Sequence, residues 1–242
     1  MPNVHHGLKE LRFKIVYYGP GLGGKTTNLE LIHRRTRPEN RGKLVALNNE
    51  AERTLFFDLL PIDLGKYRDY SVRLHLCTVP GQIAHDETRR LVLRHVDGIV
   101  FVVDSQEGRL SDNTESIRNL AINLRAQGDD PATMPTVVQY NKRDLPTALS
   151  TDALRIALGI PPETLQIDAV AKSGQGVFET LKAITSACLA LVPDPAKAAA
   201  GHSPSILPGH RPSMFPESIP SASVAIPRQA NVPVVDDSDP SD

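Results

Sequence analysis

Two periodicities alternate along the first three quarters of this chain. Leu11–Tyr18 alternates apolar and polar residues as a strand does, and Asn28–Arg35 then repeats its apolar residues at helical spacing. Leu55–Leu60 and Ser71–Cys77 read as two adjoining strands, followed by a helix over about 85–95. Gly98–Val103 is almost continuously apolar, the signature of a parallel strand covered on both faces. A long helix is expected near Asp112–Gln127, a strand at Thr136–Tyr140 and a short helix at Thr151–Leu158. The strand Leu165–Ala169 and a helix from Val177 to about Leu191 complete the series. This order predicts an α/β fold in three layers, with a mostly parallel sheet of six strands and helices on both sides. Ligands of such sheets bind at the carboxyl ends of the strands.

The pattern stops near Pro193. Residues 193–242 hold ten of the twenty prolines, with Ser, Ala and Asp between them. Three cations (Lys197, Arg211, Arg228) face six anions (Asp194, Glu217, Asp236, Asp237, Asp239, Asp242), so this tail carries −3 of a chain whose net charge is −1. Such a stretch has too few apolar residues to offset its ordering entropy, and disorder is expected there. The expected division is therefore a folded domain over 1–192 and a Pro/Ser/Ala-rich acidic tail over 193–242. A near-neutral balance argues against general nucleic-acid binding. No apolar run approaches the roughly 20 residues that span a bilayer, and neither a signal peptide nor a lipid-anchor motif is indicated. Cys77 and Cys188, each in an apolar stretch, are expected as buried thiols of a cytoplasmic protein.

The chemistry begins at Gly19-Pro-Gly-Leu-Gly-Gly-Lys25-Thr26-Thr27, which fits G-x-x-x-x-G-K-[ST] between a strand and a helix. Glycines at 19, 21, 23 and 24 let successive N–H groups face phosphate oxygens, and the helix N-terminus adds a positive dipole end. Lys25 can reach the outer phosphates and the Thr26 hydroxyl can coordinate Mg²⁺. A nucleoside triphosphate is the implied ligand. Asn141-Lys142-Arg143-Asp144, placed directly after a buried strand, selects the base. A carboxylate at Asp144 would accept from guanine N1–H and its exocyclic amine, donors that adenine lacks in that geometry. Asn141 would bond the other purine edge, and the Lys142 stem would pack on the ring. A plain polar turn has the same composition; its place after the strand favours the specific reading.

Ala169-Val-Ala171-Lys172-Ser-Gly resembles the S-A-K loop of small GTPases, in which the Ala171 N–H would meet guanine O6, although Val170 replaces the first serine. Thr78-Val-Pro-Gly81-Gln82 stands where Ras-like proteins have D-x-x-G-Q. Together the four motifs resemble the Ras-like small GTPases over residues 11–192. Tyr17–Asn28, Arg53–Asp58, Thr78–Gln82 and Gln139–Pro146 resemble the MglA family within them, bacterial Ras-like GTPases of cell polarity and gliding motility. That resemblance implies roles. Gly21 would lie closest to the γ-phosphate, the Thr54 hydroxyl would complete Mg²⁺ coordination, and the Gly81 N–H would meet the γ-phosphate. Gln82 would orient water, and Arg53 would act as a built-in arginine finger. It also implies GTP and GDP as ligands, a roadblock-type (MglB-like) activating dimer, nucleotide-dependent effectors and recruitment to cell poles. Thr78 lacks the charge of the usual aspartate, and Mg²⁺ is expected to be held less firmly for it.

Two other readings stay open at this point. In one, an ATPase or kinase uses the same loop with Asp104, at the end of the Gly98–Val103 strand, as its metal aspartate; Asn141–Asp144 is then accidental. In the other, the protein binds nucleotide without turnover and recruits partners through its tail.

Overall fold

All seven residues of Gly98–Asp104 are buried, and the rest of the molecule is arranged around that strand. A computed structural model of the protein describes residues 3–5, 9–48, 56–80 and 86–192. The strands are β1 (Asn3–His5), β2 (Glu10–Tyr18), β3 (Val45–Asn48), β4 (Phe56–Tyr67), β5 (Tyr70–Thr78), β6 (Gly98–Asp104), β7 (Thr136–Asn141) and β8 (Leu165–Asp168). The helices are α1 (Lys25–Arg35), α2 (Asp86–Leu93), α3 (Leu110–Ala126), α4 (Thr151–Ala157) and α5 (Val177–Leu189). One sheet runs in the order β3-β4-β5-β2-β6-β7-β8, with β1 off this path. The ladders from β5 through β2, β6 and β7 to β8 are parallel, and those joining β3, β4 and β5 are antiparallel. The fold is the expected mostly parallel α/β sheet flanked by helices.

Period-two alternation divides the core between the faces. Val16, Tyr18, Ile99, Phe101 and Val103 point to α2 and α3, whose Val92, Leu93, Ile117 and Leu120 close that side. Phe13, Ile15, Tyr17, Val100 and Val102 point to α1 and α5, with Leu29, Ile32, Leu181 and Ile184 against them. Each large aliphatic side chain so buried contributes roughly 1.5–3 kcal/mol. Cys77 and Cys188 are free buried thiols, as expected. Among the described residues no helix is long and apolar enough to cross a membrane.

The sheet has eight strands, two more than the six read from the sequence. β3 pairs antiparallel with the first residues of β4 (Val45 with Leu59 through Asn48 with Phe56), and β1 pairs with Glu10–Arg12. β1 fits because β2 gives β5 one full edge, while β6 takes the other edge only from Ile15 onward. β4 also runs on past Pro61, where a strand was expected to stop. The Pro61 carbonyl accepts from Gly42 N–H at 2.9 Å, on the side away from β5. A strand residue directs its N–H and C=O to the same edge, so proline's missing donor falls outside the β4–β5 ladder.

Candidate nucleotide site at the carboxyl ends of the strands

The loop between β2 and α1 turns on two left-handed glycines. Gly19 has φ +144° and Gly24 has φ +100°. A Cβ at Gly19 would collide with the Val102 carbonyl, and one at Gly24 with the Asn141 side-chain amide. Gly24 caps α1 without a side-chain hydrogen bond, no acidic residue lies in the first turn, and His33, Arg34 and Arg35 occupy the last. The cationic end of the sequence therefore complements the dipole, and the amino end is left bare for an anion. The helix begins at Lys25, one turn earlier than its apolar pattern suggested, which puts Lys25, Thr26 and Thr27 in that bare first turn.

The Lys25 side chain is folded back over the loop. Its ammonium donates to the Gly19 carbonyl at 3.0 Å and the Pro20 carbonyl at 2.6 Å. Burial pushes its pKa down to about 7, Arg89 adds repulsion, and Asp58 opposes both. A buried ammonium held by neutral carbonyls has unmet demand for negative charge, which phosphate oxygens would satisfy. A cleft of about 410 Å³ opens beside it, lined in part by Lys25, Thr26, Asp58, Thr78 and Pro80.

Thr26 Oγ1 donates to Asp58 Oδ2 at 2.7 Å. Thr78 Oγ1 donates to the same oxygen at 2.9 Å, and Asp58 N–H donates back to Thr78 Oγ1 at 2.9 Å. These hard oxygen donors suit Mg²⁺, which favours hydroxyl and carboxylate oxygen over nitrogen or sulfur. The fit rests on Thr26, whose only proton is engaged by Asp58 and whose lone pairs remain for a metal.

At the other end of the site, Asn141 joins the loop after β8 to the loop between β2 and α1. Its Nδ2 donates to the Gly23 carbonyl at 2.8 Å and its Oδ1 accepts from Ala171 N–H at 2.9 Å. Asn141 and the Ala171 N–H, both expected to face a purine, thus also bond each other. Asp144 and Lys172 are exposed. Lys142 adopts φ +64° and its ammonium sits 2.6 Å from Asp104 Oδ2. Asp104 is fully buried and also takes the Gln106 side-chain amide at 3.1 Å. The carboxylate facing Thr26 is therefore Asp58, while Asp104 pairs with Lys142 of the Asn141–Asp144 loop, contrary to the ATPase reading.

Several participants had no role assigned by the motifs. Arg109 donates to the Gly21 carbonyl at 2.6 Å and pairs with Asp112 at 2.5 Å. Gln139 and Asn28 exchange side-chain hydrogen bonds at 2.9 and 3.0 Å beneath the loop, and Gln139 also donates to Thr180 at 3.0 Å. Arg89 donates to the Pro80 carbonyl at 3.0 Å, fixing the end of β5. Asp58 ends the Arg53–Asp58 stretch that carries the family resemblance, which assigns it no role. Arg53, Thr54, Gly81, Gln82 and the tail from 193 lie outside the described residues.

Residues 63–188 match the model of the ADP-ribosylation factor family. Over 192 residues the chain is 50% identical to the "Mutual gliding-motility protein MglA" of Myxococcus xanthus (strain DK1622), covering 78% of this chain and 96% of that protein. With a glycine-turned phosphate loop tied by Asn141 to an N-K-x-D loop, these likenesses agree with the site's geometry: the chain belongs to the Ras-like small GTPases, in the MglA-type branch.

Proposed function

We propose that the protein is a molecular switch that binds GTP with Mg²⁺ and hydrolyses it to GDP and phosphate. The observation that carries this reading is the Asn141 side chain, bonded at once to Gly23 of the phosphate loop and to Ala171 of the base loop. It couples the grip on phosphate to the reading of guanine, with Asp144 exposed on the same loop to accept from the base.

Lys25 and the N–H groups of Gly23, Gly24, Thr26 and Thr27 hold the phosphates. The hydroxyls of Thr26 and Thr54 hold Mg²⁺, which when bound neutralises charge on the β- and γ-phosphate oxygens. Lys142 and Lys172 pack on the base, and Asp144 gives guanine its preference. The Gly81 N–H contacts the γ-phosphate, Gln82 orients the attacking water and Arg53 offsets charge developing on the transferred group. Such an arginine contributes about 10³–10⁵ in rate once placed. Intrinsic turnover is slow and a roadblock-type (MglB-like) dimer accelerates it. Loss of the γ-phosphate releases the loops around 38–60 and 78–88 and with them nucleotide-dependent effectors. The output is gliding motility, which the relative's name gives for that protein, together with cell polarity. The protein works in the cytoplasm and is recruited to the poles by its partners.

Single-turnover GTP hydrolysis with and without the dimer tests the reading. Arg53→Ala and Gln82→Ala are each expected to abolish the stimulation and leave GTP affinity within about threefold. Asp144→Ala is expected to remove selectivity for guanine nucleotides. Undiminished guanine selectivity in Asp144→Ala would overturn the reading.

A further inference from the structure

Residue 78 is a threonine where the Ras-like pattern has an aspartate, and the sequence implied a weaker hold on Mg²⁺. The geometry around that threonine points elsewhere. Leu59 of β4 pairs with Cys77 of β5, so the next residues outward, Asp58 and Thr78, face each other across the ladder. Thr78 is buried at 3% exposure and closes a ring with Asp58: it accepts from the Asp58 N–H and donates to the Asp58 carboxylate, both at 2.9 Å. The same carboxylate oxygen takes the Thr26 proton at 2.7 Å.

A hydroxyl that ligates a metal must keep a lone pair free, and its rotor is fixed by whatever accepts its proton. Asp58 is that acceptor. It turns the Thr26 lone pairs away from itself and sets a negative charge directly behind them. An aspartate at 78 would face this carboxylate at hydrogen-bond distance, where two like charges cannot both persist. A hydroxyl is the residue that fits, because it can donate and accept in one ring. Thr78 is then a consequence of Asp58.

We propose that Asp58, on β4, supplies the carboxylate that orients Thr26 toward Mg²⁺ and adds beside the metal the negative charge that the aspartate of the Ras-like pattern carries at position 78. Asp58 is a positioning residue: it acts through Thr26. The inference rests on the Mg²⁺–guanine-nucleotide reading above.

The test is the release of a fluorescent GDP from the full chain as free Mg²⁺ is varied, with EDTA as the metal-free limit. Asp58→Asn keeps an acceptor for Thr26 and removes the charge. The Mg²⁺ concentration that half-suppresses release is expected to rise on the order of tenfold or more, with release in EDTA unchanged. The exchange variant Asp58→Thr/Thr78→Asp returns the carboxylate to β5 and is expected to bring that midpoint back within about threefold of wild type. A wild-type midpoint in Asp58→Asn, or faster release by the same factor with and without Mg²⁺, overturns the proposal. Should Asp58→Asn fail to fold, the exchange variant decides: a midpoint tenfold above wild type overturns it. If the wild-type chain retains no guanine nucleotide at all, the proposed function itself fails, an outcome distinct from these.

Discussion

The Lys142 ammonium lies 2.6 Å from the Asp104 carboxylate; Asp104 ends β6, and Lys142 directly follows the neighbouring strand β7. Asp104 is fully buried while the Lys142 side chain keeps 25% exposure, so the pair holds the lysine stem against the site and leaves its flank open. Asp104→Asn keeps the shape and loses the charge. It is expected to lower stability by about 1–2 kcal/mol and to weaken GDP and GTP equally, by roughly tenfold, because the contact proposed for the lysine stem is with the base and not the γ-phosphate. Urea unfolding and fluorescent-nucleotide titration check both parts.

Lys25 is expected to give the empty protein a pH dependence. Its folded pKa is pushed down to about 7 from the ordinary value of 10.5, with burial the largest cause. Between those values the unfolded chain binds a proton that the folded chain does not, so stability rises with pH across that window. Below about pH 7 both states are protonated and the full cost of burial remains. The slope is up to about 1.4 kcal/mol per pH unit, and it is expected to vanish in Lys25→Met. Phosphate is expected to restore the charged lysine, so nucleotide binding should take up protons increasingly as pH rises above about 7. Calorimetry in buffers of different ionisation enthalpy measures that uptake.

Asn141 and Asp144 separate structure from recognition. Asn141→Ala strands the Gly23 carbonyl and the Ala171 N–H, and is expected to cost roughly 2–5 kcal/mol of stability together with most nucleotide affinity. Asp144→Ala, an exposed position, is expected to leave stability within about 0.5 kcal/mol while guanine affinity falls. Unfolding of the empty proteins alongside GDP titration distinguishes the two.

Tyr17 is fully buried, and its hydroxyl has no hydrogen-bond partner among the described residues. An unsatisfied buried hydroxyl opposes folding. Tyr17→Phe is expected to raise stability by roughly 1 kcal/mol, seen as a higher urea midpoint at unchanged slope.

Most of the architecture was legible because its strands are buried on both faces and its helices keep a regular stripe. Gly98–Val103 and Val177–Leu189 announce themselves that way. β1 and β3 did not, since three or four residues cannot display a period. Pro61 concealed the second half of β4, because which edge of a strand faces its neighbour is not encoded locally. The phosphate loop and Asn141–Asp144 were readable as motifs, since their chemistry lies in contiguous residues. The roles of Asp58, at the end of the Arg53–Asp58 stretch, and of Arg109 were not. Their meaning comes from what lies across a ladder (Thr78) or across the sheet end (the Gly21 carbonyl), and no local spacing records it.

The uncapped start of α1 has a practical outcome for anyone handling the purified protein. A bare cationic crown of this kind scavenges multivalent anions, so inorganic phosphate, sulfate or pyrophosphate in a storage solution will compete for the same seat. Melting temperatures taken in phosphate and in a zwitterionic buffer should therefore differ, and the apparent robustness of the resting protein is set by the salt around it as much as by its own packing.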